Sequence, residues 1–207
     1  MSSGNEWKAR LAERYADVKA SLRPGITLVA VSKLRAPEEI KALYDIGHRD
    51  FGENYVQELR AKQPLLPNDI RWHFIGHLQR SNVKHIVPFV HLIHGVDSEP
   101  LLDEIEKRAA ACGRAIDVLL QARIAREETK HGLPPTQVAV VVRAWKPGRW
   151  QHIRLVGLMG MASLTNDREA IAKEFGILAD LAAQLKGHAP EPECFSVLSM
   201  GMSGDLD

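Results

Sequence analysis

The sequence predicts an α/β fold of the (β/α)8 TIM-type barrel class, with an extra N-terminal helix and with the eighth strand missing from the chain. Seven short apolar runs, at residues 26–33, 50–54, 71–77, 92–98, 116–124, 153–163 and 195–203, alternate with amphipathic stretches. The runs are apolar almost throughout, as strands covered on both faces are. A repeated βα order implies a parallel sheet with helices outside it. An open doubly wound sheet shares that order. However, no Gly-rich phosphate fingerprint follows the first run, and nothing marks a reversal of strand order, so the barrel is the better match.

The elements follow in order. Residues 6–22 form the leading helix. The first strand, 26–33, ends on Lys33. Pro37 stands at a first helical position and Gly47 just past the last, bracketing EEIKALYDI. The second strand, 50–54, ends FGEN, and Tyr55 opens the next helix. The third, 71–77, carries WHFIGH. Ser98 after the fourth is a candidate cap for EPLLDEIEKRAAAC, with Pro100 near the start and Gly113 after the end. A charged loop from Glu127 through Lys130 and His131 to Gly132 follows the fifth strand and reads as a solvated connection. The β-branched run in TQVAVVVRAW suits a strand, but the flanking Pro134, Pro135, Pro147 and Gly148 favour a helix. After the sixth strand, Thr165, Asn166 and Asp167 are candidate caps for a helix that closes on Gly187. No linker or low-complexity tract divides the chain, so residues 1–207 read as a single domain.

Composition narrows the function. A formal net charge of +1 gives no footprint for nucleic acid or an acidic membrane surface. No run approaches the ~18 apolar residues of a membrane span, and the N-terminus lacks a signal-peptide apolar core. The only cysteines, Cys112 and Cys194, stand in no metal or redox spacing. The expectation is a reduced, cytoplasmic protein.

In either α/β architecture the active face lies at the C-terminal strand ends. Those ends collect Lys33, Glu53, Asn54, His73, His77, the GLMGMAS segment and the LSMGMSGD segment. By the two-residue period Thr27, Val29, Val31 and Lys33 share one side. If Val29 and Val31 face the interior, the lysine does too, its ammonium is desolvated, and its pKa falls. A partly neutral amine is a nucleophile toward aldehydes. The alternative is a strand-end lysine that pairs with Glu53 or points to solvent. Ser203 and Gly204 suit a phosphate-holding turn and equally a plain N-cap. His73 and His77 are four apart on a strand and turn, where they do not share a face as helical ligands would. His85, His91 and His94 show no ligand spacing, so no metal site is expected. Trp72 and Phe74 read as packing residues.

The motifs LVAVSK, DFGENYVQEL, WHFIGHLQRSNVKHI, HGVDS, GLMGMA and LSMGMSGDLD, in this order and over nearly the whole chain, resemble the pyridoxal phosphate homeostasis protein family. That family is related to the N-terminal domain of alanine racemase. The resemblance implies a single-domain barrel that binds pyridoxal 5′-phosphate (PLP). Lys33 would carry the cofactor aldehyde as a reversible Schiff base. Asn54 would lie near the ring, His73 in the wall and Met159 in the floor. Ser199 and Ser203 match the family serines, the latter on the phosphate. It implies a non-catalytic carrier or buffer in vitamin B6 homeostasis, with PLP-dependent apoenzymes as candidate clients. The alternative is a racemase-like PLP enzyme. A racemase needs a second acid/base, and among Tyr15, Tyr44 and Tyr55 only Tyr55 comes near the rim. Family members continue past GMSGDL into a helix and an eighth strand with further phosphate ligands, which this chain does not include. Without a second domain, a monomer is expected.

Overall fold

The computed structural model describes residues 3–125, 131–145 and 148–200, with side chains from Glu6 on. The chain forms two compact units, residues 1–73 and 74–207.

The first unit runs α1 (Ser3–Ser21), β1 (Ala30–Val31), α2 (Pro37–Asp45), β2 (Asp50–Glu53) and α3 (Val56–Lys62), and β3 (Arg71–Phe74) begins at its end. β1 and β2 are parallel, with Ala30 beside Phe51 and Val31 beside Gly52. Pro37 does occupy the first turn of α2. The helix start is closed by the Ala36 N–H donating to Glu39 Oε2 at 3.0 Å. Gly47, at φ 100°, ends it in a conformation open to glycine. The core combines the aliphatic Ile40, Val56, Leu59, Leu66 and Ile70 with Phe51 and Trp72. Phe51 packs edge-on to His48 and tilted to Trp72, and His48 meets the Tyr15 ring of α1.

The expected first strand, 26–33, is far shorter here. β2 offers ladder partners only to Ala30 and Val31. The Ser32 N–H adds one bond to the Gly52 carbonyl, and the Arg35 N–H then closes a turn on the Ser32 carbonyl. The rest of the apolar run stays outside the ladder: Ile26 is 51% exposed and Val31 39%.

The second unit contains β4 (Leu92–Val96), α4 (Glu99–Cys112), β5 (Ile116–Ala122), α5 (Pro135–Arg143), β6 (Ile153–Gly160), α6 (Arg168–Leu185) and β7 (Val197–Ser199). These four strands lie in the order β4-β5-β6-β7, each pair parallel. The ambiguous TQVAVVVRAW stretch is helical, with Val138, Val141 and Val142 turned to the core. Asp167 caps α6 through its carboxylate, which accepts from the Glu169 and Ala170 N–H groups. Ser98 stands at the N-cap of α4, but its side chain makes no cap bond. Gly113 ends that helix at φ 62°.

Two irregularities shape this sheet. β4 shifts register against β5 between Ile93 and Val96, a bulge that contains His94 and Gly95. A Cβ on Gly95 would stand 2.7 Å from the Gly76 carbonyl oxygen, so only glycine fits. β5 and β6 shift between Val118 and Leu119. His94 Nδ1 of β4 lies 2.7 Å from Ser199 Oγ of β7, with two strands between them. In a flat sheet three strand spacings would separate them by about 14 Å, more than the two side chains span. The sheet of this unit therefore curls, with His94 and Ser199 on its concave face. Leu92, Leu119, Val156 and Met159 form the buried cluster below them, flanked by Met161 and Val197.

The third to seventh strands all stop short of the apolar runs that predicted them, at Phe74, Val96, Ala122, Gly160 and Ser199. Those of the residues left over that the structure describes form loops at the C-terminal strand ends. Among the described residues no helix is long and apolar enough to cross a membrane.

Candidate functional site at the strand ends

In the first unit the strand-end turn that carries Lys33 is clamped from below. Lys62, near the end of α3, is 6% exposed. Its ammonium donates to the Ser32 carbonyl at 2.8 Å, to Glu53 Oε1 at 2.8 Å and to Glu58 Oε2 at 2.7 Å. Glu58 also accepts the Leu34 N–H at 2.8 Å, and Glu53 accepts the Ser32 hydroxyl at 2.7 Å. The residues on both sides of Lys33 are thus pinned. Leu34 holds φ 61°, a left-handed conformation that costs a side-chain-bearing residue about 1–2 kcal/mol. The Glu58 bond to its N–H supports that conformation.

Lys33 itself is exposed, so it is not the buried amine expected from the strand period. The period holds as far as Ser32, which turns to Glu53 and the α3 side. It fails as a predictor of burial because β1 ends at Val31 and the face carrying Val31 is itself open. Glu53, the carboxylate that could have paired with Lys33, is fully buried and taken by Lys62. That leaves Lys33 on the second branch of the alternative, with its amine in water.

Asn54 follows β2 directly. Its buried Oδ1 has no hydrogen-bond partner among the described residues, and neither has Glu53 Oε2. A buried acceptor without a donor costs about 1–3 kcal/mol, so Asn54 is poised for one. The β1–β2 register, extended by the Ser32 N–H to Gly52 bond, brings the chain end with Lys33 to the strand end with Asn54. His73 is buried on β3, and its Nε2 lies 3.1 Å from Asp50 Oδ1 at the opposite end of β2. Arg71 completes this group, with Nε 2.6 Å from Asp50 Oδ1. Burial alone would raise the Asp50 pKa. The hydrogen bonds from His73 and Arg71 outweigh it and hold the carboxyl well below the usual range.

In the second unit Gln121, Met159 and Ser199 sit side by side across β5, β6 and β7. The Ser199 hydroxyl meets His94 Nδ1. When that nitrogen carries a proton, the hydroxyl hydrogen is left over for an anionic oxygen. The structure thus brings Met159 and Ser199 together. Ser203 lies outside the described residues.

Sequence reasoning missed Lys62, Glu58, His94 and Gln121. Glu58 and Lys62 form an i,i+4 pair that reads as an ordinary surface ion pair. Nothing in the sequence marks Lys62 as buried. His94 did leave a signal, as the one ionisable residue in the fully buried strand LIHGV.

Comparisons with known proteins agree with one another. Residues 8–206 match the family of the alanine racemase N-terminal domain. The chain is 36% identical to the pyridoxal phosphate homeostasis protein of Helicobacter pylori over 88% of this chain and 79% of that protein. It is 36% identical to the human protein of the same name, over 95% and 74%. Among solved structures it is similar to PipY of Synechococcus elongatus without PLP, with a TM-score of 0.87 and 34% identity over 95% of this chain and 91% of that one. PipY with PLP bound gives a TM-score of 0.81 at 33% identity, over 94% and 90%. An alanine racemase from Clostridium difficile shares the fold alone, with a TM-score of 0.73 at 14% identity, over 95% of this chain and 50% of that one.

Proposed function

We propose, from the premise that this chain belongs to the pyridoxal phosphate homeostasis protein family and has the TIM-type fold of the alanine racemase N-terminal domain, that it binds PLP and carries or buffers it without catalysing a reaction on it. PLP supplies a reactive aldehyde, and Lys33 is the amine that would take it as a reversible Schiff base. Residues 1–207 act as one PLP-binding domain in this reading.

The observation that carries the reading is the clamp around Lys33. Three charged side chains of the first unit spend their bonds on fixing Ser32 and Leu34, while the lysine between them faces solvent. A merely structural lysine needs no such turn. An exposed amine gives and takes a ligand more readily than a buried one, which suits loading and release. Taken unit by unit, other side chains offer chemistry that suits the group. Asn54 offers an unpaired buried oxygen to a polar ring substituent. Ser199, with His94 behind it, offers a hydroxyl to a phosphate oxygen. Met159 supplies apolar surface beside Ser199. The family resemblance also assigns His73 to the pocket wall and Ser203 to the phosphate; His73 is held by Asp50 at the other end of β2, and Ser203 lies outside the described residues.

The tyrosines favour carriage over racemisation. The Tyr15 hydroxyl lies 3.2 Å from His48 Nδ1, and the Tyr44 hydroxyl donates to Asp69 at 2.6 Å. Both are engaged away from the strand ends. Tyr55, 51% exposed, opens α3 and has no side-chain hydrogen bond among the described residues. PLP-dependent apoenzymes are the natural recipients, and the working form is a monomer in the cytoplasm.

The test adds PLP to the intact protein and follows the imine absorption band. The band should form with the parent and vanish in Lys33→Ala. The holoprotein incubated with L-alanine should yield no D-alanine at ordinary enzyme rates. Turnover would replace this reading with the racemase one.

A further inference from the structure

In the second unit three strand-end loops bring His77, Asp97 and His131 together. One ligand atom of each lies within 4.8 Å of the other two. His77 follows β3, Asp97 directly follows β4, and His131 lies in the loop after β5. The His77 Nδ1 is 3.3 Å from Asp97 Oδ2, and the two imidazoles stack with centroids 4.0 Å apart and planes 12° from parallel.

The two histidines are set in place by the backbone on which they stand. The His131 carbonyl accepts from the side-chain amide of the buried Gln121 at 3.1 Å. The next two residues are fixed as well. A Cβ on Gly132 would meet the Arg123 nitrogen at 2.9 Å, and Leu133 exchanges backbone bonds with Gln121 and Arg123 at 2.8 Å. The loop end that reads in sequence as a solvated connection is therefore tied to β5. On the other side, Gly76, just before His77, runs so close to Gly95 that no side chain fits between them. Packing alone does not ask for two exposed imidazoles stacked over a carboxylate at such a junction.

We propose that His77, Asp97 and His131 form a binding site for a first-row divalent cation of the zinc type. Two imidazoles and one carboxylate are an ordinary donor set for such ions. Metal–ligand bonds of about 2.0–2.2 Å put tetrahedral donors roughly 3.3 Å apart. Closing from the present spacing takes χ rotations of the two exposed histidines. With three protein ligands the cation keeps a position open for water or an anionic group. The spacing rules missed this site because its ligands come one from each of three loops. The proposal is independent of PLP binding.

The test uses the full chain without added PLP and titrates Co2+ as the probe. The parent should take up one equivalent and show the visible d–d bands of a low-coordinate nitrogen and oxygen site. His131→Ala and Asp97→Asn should each weaken uptake by about tenfold or more. Their thermal midpoints without metal should match the parent's, because His131 is exposed and Asp97 keeps its shape as Asn. A control is needed at Glu191, Glu193 and Cys194, the other group of potential donors among the described residues. Binding there would show a thiolate charge-transfer band that disappears in Cys194→Ser. No saturable uptake, uptake unchanged in both loop variants, or that thiolate band would each overturn the proposal.

Discussion

Replacing Lys62 by methionine is the sharpest perturbation of the clamp. Methionine keeps most of the stem and removes only the ammonium. Glu53 would then be a fully buried carboxylate with one oxygen already unpartnered and only the Ser32 hydroxyl on the other. Removing one partner of a buried ion pair costs about 3–5 kcal/mol, because the remaining charge is left uncompensated. In a chain of this size each kcal/mol shifts the melting temperature by roughly 2–4 °C, so Lys62→Met should lower it by about 6–20 °C. The assay is thermal unfolding by circular dichroism at pH 7. The double variant Lys62→Met/Glu53→Leu removes both charges and should recover most of the loss, since an apolar pair replaces a buried ion pair at little net cost. A single variant within 2 °C of the parent, or a double variant no better than the single, would refute the reasoning.

Other predictions follow from the same structure. Gly157→Ala puts a Cβ 1.8 Å from the Val197 carbonyl oxygen; it should part β6 from β7 and cost about 3 kcal/mol or more, read as a large fall in denaturant midpoint. The depressed Asp50 pKa contributes stability that is fully present above the unfolded value of about 3.9 and is lost as the pH falls below it toward the folded value. Asp50→Asn should therefore destabilise the protein at pH 7 and flatten the acid side of its stability profile, as acid titration of ellipticity would show. Ser199→Ala should weaken PLP binding about tenfold, leaving the imine band position unchanged, as measured by spectral titration. Glu58→Gln weakens the support of the strained Leu34 turn and should slow PLP uptake more than it lowers the melting temperature.

The parallel α/β order was legible because buried strands and capped helices leave local marks. Pro37, Gly47, Gly113 and Asp167 ended or began helices as their backbone chemistry dictates. Strand lengths were not legible. An apolar run shows what is able to enter a ladder, not what does: β2 is four residues long, yet only Ala30 and Val31 of the run pair with it. The position of Lys33 at a strand end could be read, but its exposure could not, because burial depends on what covers the face of Val31. Lys62 and Glu53 are nine residues apart and meet only once α3 has folded back on β2. His94 and Ser199 are 105 residues apart and meet only through the curl of the sheet. Contacts of that kind have no period in the sequence.

The central claim is that Lys33 is the amine that holds PLP. The direct measurement is the mass of the intact protein, and of its peptides, after PLP loading and borohydride reduction. The account predicts a gain of one pyridoxyl phosphate group per chain, located on Lys33 and absent from Lys33→Ala. No gain in mass, or a group trapped on another lysine while Lys33 stays unmodified, would contradict it.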